Sequence, residues 1–227
     1  MEMPVRINPE LERLALTDTL AARTNLYLRL LHTSHAFSSL TSLDAAGRLP
    51  ERTRQLFRSI DPELLELERA ARTRSLRSRL LREIPSLARL LPEGTLDAYV
   101  EAFVDSQEFW APRGRSLGES FCFDTEADPA LRGATRAELL RLYGVIAGLS
   151  AAPERASPWT GEIPQPGALP GAQASEGFVA ASPLLAALKE LDAGHMTGGF
   201  EDAASRPRLV VVTLFPEGRI KLFEAGV

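Results

Sequence analysis

Residues 61–91 read DPELLELERAARTRSLRSRLLREIPSLARLL, and this stretch sets the fold class. Asp61-Pro62-Glu63 combines a helix N-cap, a proline at the first helical position and an early acid. Downstream, Leu76, Leu80, Ile84, Leu87 and Leu91 recur every three or four residues and mark one helix face. Pro85 lies inside that run. It lacks an N–H and its ring collides with the preceding turn, so it should kink the helix or split it in two. The pattern predicts a long helix over 62–83 and a short one ending near 91.

The same chemistry recurs on either side. Asn8-Pro9-Glu10 repeats the start signal, and Ser116 with Glu119 and Thr135 with Glu138 both fit a capping box. Leu96, Tyr99, Val100 and Phe103 form one further stripe, and Leu139, Leu142, Tyr143 and Ile146 another. Stripes of this kind bury one face against another helix. Residues 1–150 are therefore expected to form a helical bundle domain.

Residues 151–177 change character. Pro153, Pro158, Pro164, Pro166 and Pro170 alternate with Gly161, Gly167 and Gly171, which reads as an extended linker. Residues 178–227 are expected to form a small α+β unit. Ser182-Pro183 opens a helix carrying Leu184, Leu185, Leu188 and Leu191, which Gly194 can end. Leu209–Phe215 reads as a strand, Pro216-Glu217-Gly218 as a turn and Arg219–Phe223 as a second strand, giving a β-hairpin. A two-stranded hairpin is marginal in water. The first strand is apolar on both faces and expects cover on both. Glu176–Ala180 is the best local candidate for a third strand, and a strand from another chain is the alternative. The fold class is mainly α, a helical bundle lobe followed by a small α+β C-terminal lobe with a β-hairpin.

Composition narrows the function classes. The 227 residues are 44% hydrophobic and 25% charged, with a net charge of -4, so no global basic field recruits nucleic acid. No basic segment followed by an apolar one opens the chain, and the longest strongly apolar run, Leu209–Phe215, is too short to span a bilayer. A cytoplasmic location is the expectation. The single cysteine, Cys122, excludes an internal disulfide and a multi-thiolate zinc site. Flanked by Phe121 and Phe123, it reads as a buried small hydrophobe.

Motifs for chemistry are missing. There is no phosphate-binding loop, dinucleotide fingerprint, HExxH or GxSxG. His32 and His35 can share a helix face, but no carboxylate at a matching position completes a metal site; His195 reads as a loop residue. No catalytic, metal or cofactor residue is assigned, and no cofactor is expected. Arg69, Arg72, Arg74, Arg77, Arg79 and Arg82 put six arginines into fourteen residues without an intervening acid. They spread around the helix and fit a solvated surface, docking to an acidic protein or nucleic-acid binding. Trp110 and Trp159 read as loop positions that either anchor a partner or lock a loop onto the core.

Several of these segments, between Leu56 and Tyr143, resemble a bacterial family of helical accessory proteins. Its members partner the multinuclear non-haem iron oxidative enzymes that modify ribosomally made peptides, as the MbnC-like subunit does in methanobactin synthesis. The similar pieces are the Asp61-Pro62 helix, the Arg69–Arg82 segment, Ile84–Leu91, Leu96–Phe103 and Glu138–Tyr143, and the Arg208–Phe223 hairpin is similar in kind. The resemblance implies a partner that holds the precursor peptide and braces an enzyme carrying the iron. The expected function is thus a non-catalytic accessory subunit. Its partners would be an iron-dependent oxidative enzyme subunit and a precursor (leader) peptide, with no membrane and no nucleic acid. The peptide or partner surface is expected at Val210, Val212, Leu214, Arg219, Lys221, Arg72, Arg77 and Trp110, with the hairpin accepting the leader as an added strand. The alternative is a regulatory or DNA-associated protein acting through Arg69–Arg82. A third is an enzyme assembled from distant residues such as His32, Asp61 and Cys122.

Overall fold

The computed structural model describes residues 9–111, 114–131, 135–153, 172–193 and 207–226. Among them are eleven α-helices and one three-stranded antiparallel sheet near the C-terminus. The protein is mainly α with a C-terminal α+β part. Its helices are α1 (Pro9–Leu16), α2 (Leu20–Leu30), α3 (Ser34–Ala45), α4 (Glu51–Arg58), α5 (Pro62–Glu83), α6 (Leu87–Leu90), α7 (Leu96–Asp105), α8 (Gln107–Trp110), α9 (Leu117–Glu126), α10 (Thr135–Ala151) and α11 (Leu184–Asp192). The strands are β1 (Ala174–Ala180), β2 (Arg208–Leu214) and β3 (Ile220–Gly226). None of the described helices is long and apolar enough to cross a membrane. Trp159, Gly194, His195 and most of the expected linker lie outside the described residues.

The opening stretch folds as its pattern requires. α5 begins at Pro62, with Asp61 Oδ1 accepting the Glu63 and Leu64 N–H groups at 2.9 and 3.3 Å. It ends at Glu83, before Pro85, and α6 resumes at Leu87. Leu80, Ile84, Leu87 and Leu91 are buried, which is the face their spacing marked. The chain forms two compact units, one of residues up to Ser78 with Val100–Asp105, the other of Arg79–Tyr99 and Ser106 onward.

In the first unit Leu11, Leu14, Leu26, Leu30, Leu40, Leu43 and Leu65 make one apolar cluster. Arg69 turns inward towards it and donates to the Leu30 carbonyl at 3.2 Å, at the end of α2. Helix C-termini leave carbonyls unpaired, and a cation there satisfies both the hydrogen bond and the dipole.

In the second unit α9 and α10 pack intimately because glycine removes the side chains that would separate them. A Cβ on Gly144 would lie 3.0 Å from the Cys122 Cβ, and one on Gly148 would lie 2.8 Å from the Glu119 carboxyl carbon. Ser116 and Glu119 form the expected capping box at the start of α9.

The Thr135–Glu138 pair does something else. Thr135 is already helical, and both Glu138 carboxylate oxygens accept backbone N–H groups, from Ala181 at 2.6 Å and Ser182 at 2.8 Å. They hold the turn between β1 and α11. Pro183, the N-cap of α11, offers no capping side chain, and the Leu185 N–H instead donates to Glu224 of β3 at 2.9 Å. Two carboxylates from neighbouring elements thus replace the missing N-cap.

The sheet order is β1-β2-β3. The Glu176–Ala180 segment does supply a third strand, as part of β1, so β2 is central with neighbours on both sides. The added strand satisfies the second edge of β2, while α10 packs against the strand from one face. Glu217 and Gly218 sit at φ 69° and 72° in the β2–β3 turn, a left-handed pair that reverses the chain, with glycine at the position where it costs least.

Candidate functional site

Pairing register divides the sheet into two faces. One carries Glu176 and Phe178 of β1, Val210, Val212 and Leu214 of β2 and Leu222 and Glu224 of β3, and α10 and α11 contact these strands. The other carries Val179, Leu209, Val211, Lys221, Phe223 and Ala225.

Val210, Val212 and Leu214 are 1%, 0% and 4% exposed, and their strand is paired along both edges. These three expected site residues are core, so they cannot receive an added strand. Among the described residues, the outer edges of β1 and β3 have no strand paired to them.

The phase of hydrogen bonding on β3 follows from the hairpin closure. Phe215 N–H donates to the Arg219 carbonyl at 2.7 Å, so Arg219 opposes Phe215 in a bonded pair. Antiparallel pairs alternate between bonded and non-bonded. Lys221, Phe223 and Ala225 therefore direct their backbone groups to β2, whereas Ile220, Leu222 and Glu224 direct theirs outward. Side chains alternate likewise. The outer edge is flanked on the open face by Lys221 and by Phe223, which is 39% exposed. Lys221 Nζ lies 5.2 Å from the Phe215 ring centroid, and exposed Arg219 precedes it at the hairpin end. This edge offers main-chain donors and acceptors, two cations and an apolar ring in one row. Such a row suits an extended segment with an acid followed by apolar residues.

The remaining expected site residues go elsewhere. Arg72 on α5 is half-buried and pairs with Glu68 at 2.9 Å, and Arg77 is exposed on the same helix. Both belong to the first unit, whereas the sheet belongs to the second. Trp110 is not in a loop: it ends α8, and its ring meets Phe109 edge-on with centroids 5.1 Å apart. Within Arg69–Arg82, Arg69 and Arg72 pair with Glu66 and Glu68, and Arg79 with Glu83, all on α5 itself. The residues missed by sequence reasoning are Leu222 and Phe223. The signal was present, because a strand apolar on both faces is central, and the strand after it is then an edge.

Cys122 is wholly buried, and burial pushes its thiol far above the usual range, reinforced by Glu126 and Glu83. That holds it as the thiol and away from nucleophilic chemistry. The Asp61 carboxylate is engaged in capping α5. Among the described residues no group of three or more His, Cys, Asp or Glu side chains is placed to hold a metal ion.

Four carboxyls, Asp105, Asp124, Glu126 and Glu176, are raised from their ordinary values, in each case chiefly by burial. At Glu126 the buried Oε2 has no hydrogen-bond partner, and Arg141 opposes the shift only in part. A raised carboxyl binds its proton more tightly folded than unfolded. Stability therefore falls as pH rises from the unfolded carboxyl value through the folded one, and the loss is complete above the latter. Glu126→Gln should remove that penalty and raise the denaturation midpoint at neutral pH, with little change at acidic pH, as read by urea titration at both.

No family model matches the chain, and no curated protein matches it.

Proposed function

We propose that the protein is a non-catalytic accessory subunit that captures a ribosomally made precursor peptide as a fourth strand on β3. It presents that peptide to a multinuclear non-haem iron oxidative enzyme, which supplies the iron and the chemistry. The observation that carries this reading is the outward backbone of Ile220, Leu222 and Glu224 beside Lys221 and Phe223. Main-chain hydrogen bonds along such an edge supply affinity, and alternate side chains supply choice. The placement of the oxidative enzyme as partner rests on the resemblance of the segments between Leu56 and Tyr143. The engagement of Arg69, Arg72 and Arg79 with acids of their own helix weakens the nucleic-acid alternative.

The test is a titration of the purified protein with the leader segments of short peptides encoded beside its gene, together with co-expression and pull-down of a neighbouring iron oxidative enzyme. Lys221→Glu with Phe223→Ala alters two exposed side chains. It should weaken leader binding by about tenfold or more, roughly 1.4 kcal/mol, while leaving the circular dichroism unchanged. Absence of binding by the unaltered protein, with no enzyme co-purifying, would refute the reading.

A further inference from the structure

Glu224 faces two ways. Its backbone N–H and C=O turn outward on the free edge of β3, by the same hydrogen-bond phase as Ile220 and Leu222. Its side chain lies on the other side of the strand, 4% exposed, and both carboxylate oxygens are engaged. Oε2 accepts the Leu185 N–H in the first turn of α11 at 2.9 Å, and Oε1 accepts from Arg208 Nη1 of β2 at 3.1 Å. One residue thus joins the open edge to a neighbouring strand and to a helix start whose N-cap, Pro183, offers no capping side chain.

The three outward positions of β3 are held differently. Ile220 follows the hairpin closure, where the Phe215 N–H donates to the Arg219 carbonyl at 2.7 Å. Leu222 is half-buried in the middle of the strand. Glu224 lies at the far end, and beyond it β3 has only Ala225 and Gly226, both exposed. The last residues of an exposed strand fray unless a side chain ties them down. The Glu224 carboxylate is that tie.

On the reading of β3 as the peptide edge, we propose that Glu224 is a positioning residue. Its buried carboxylate sets the far end of the edge for pairing and couples the arrival of a peptide to the first turn of α11. The side chain is withdrawn from the edge and acts through its own backbone. With the carboxylate seated, the strand end is ordered before a peptide arrives, so less freedom is lost on binding. A peptide strand that pairs with Glu224 fixes the same backbone in return, which holds the carboxylate against Leu185 and Arg208. Linkage makes the two effects equal in size.

The test uses the full chain and the leader peptide of the titration above, with affinity and residue-resolved hydrogen exchange as readouts. Leader at saturation should slow exchange of the Leu185 amide, which lies on α11 rather than on the edge. Glu224→Ala should weaken leader binding about tenfold and abolish that slowing. Glu224→Gln keeps an acceptor for Leu185 and should lie between. Glu138→Ala loosens the same helix start through Ala181 and Ser182 without touching β3. It should leave leader affinity within about twofold of the parent. The Leu185 readout on the parent needs no variant and decides the matter even where Glu224→Ala does not fold. A parent that binds the leader with unchanged exchange at Leu185, or a folded Glu224→Ala that binds it equally well, would overturn the positioning role and leave capture at β3 standing. Equal weakening by Glu138→Ala would reduce the effect to general loosening of α11 and overturn the role too. A parent that binds no leader overturns capture itself, and this role with it.

Discussion

Gly144→Val should cost about 3 kcal/mol and collapse the denaturation midpoint of the second unit. A Cβ alone at this position would already sit 3.0 Å from the Cys122 Cβ, an atom fixed to the α9 backbone. A valine adds two more carbons in the same direction. Neither helix can yield by a rotamer change, so α9 and α10 must separate, and both carry fully buried side chains, among them Phe121, Leu139 and Leu142. The comparison is Gly226→Ala, where the added carbon would meet nothing within 4 Å. That variant should denature with the parent protein. Urea titration followed by tryptophan fluorescence and far-ultraviolet circular dichroism reads both.

The second large effect concerns the two carboxylates that start α11. Glu138→Ala leaves the Ala181 and Ser182 N–H groups without their acceptor. Glu224→Ala leaves Leu185 N–H without one and removes the partner of Arg208, which lies 3.1 Å from a Glu224 side chain that is only 4% exposed. Hydrogen bonds to charged groups contribute about 1.5–3 kcal/mol each. Water replaces part of this at the more exposed Ala181, so about 2 kcal/mol is expected from each single change and about 4 kcal/mol from the pair. Far-ultraviolet loss and increased amide exchange over Leu184–Asp192 should accompany the double change. Glu138→Gln, which keeps one acceptor oxygen, should fall between the parent and Glu138→Ala.

These two cases mark what the sequence makes legible. Helices that announce themselves locally are legible to within a residue or so: Asp61-Pro62 starts α5, Pro85 stops it, and Ser116 with Glu119 caps α9. Thr135 with Glu138 has the same local pattern and a different outcome, because the acceptor need of Ala181 and Ser182, more than forty residues away, competes for that carboxylate. Local motifs do not encode such a competitor. Gly144 and Gly148 look like weak points of a helix by propensity, and only the packing of α9 explains them.

The site shows the same division. Leu209–Phe215 reads as a buried strand, and Glu176–Ala180 as the local segment able to pair with it; both are seen in the sheet. The consequence is that Val210, Val212 and Leu214 become interior. The proposed strand addition therefore falls one strand outward, at residues chosen by hydrogen-bond phase rather than by hydrophobicity. Arg72 and Trp110 are conspicuous residue types; their local partners, Glu68 and Phe109, are contacts that residue type alone does not reveal.

The proposed peptide capture at β3 makes a specific demand: the outward N–H groups of that strand must find acceptors when the leader arrives. Residue-resolved hydrogen exchange of the protein, with and without the leader peptide at saturation, measures this directly. Added protection at Leu222 and Glu224, with Phe223 already protected in the free protein, is the predicted result. Unchanged exchange at those two amides while the peptide is bound would contradict the account.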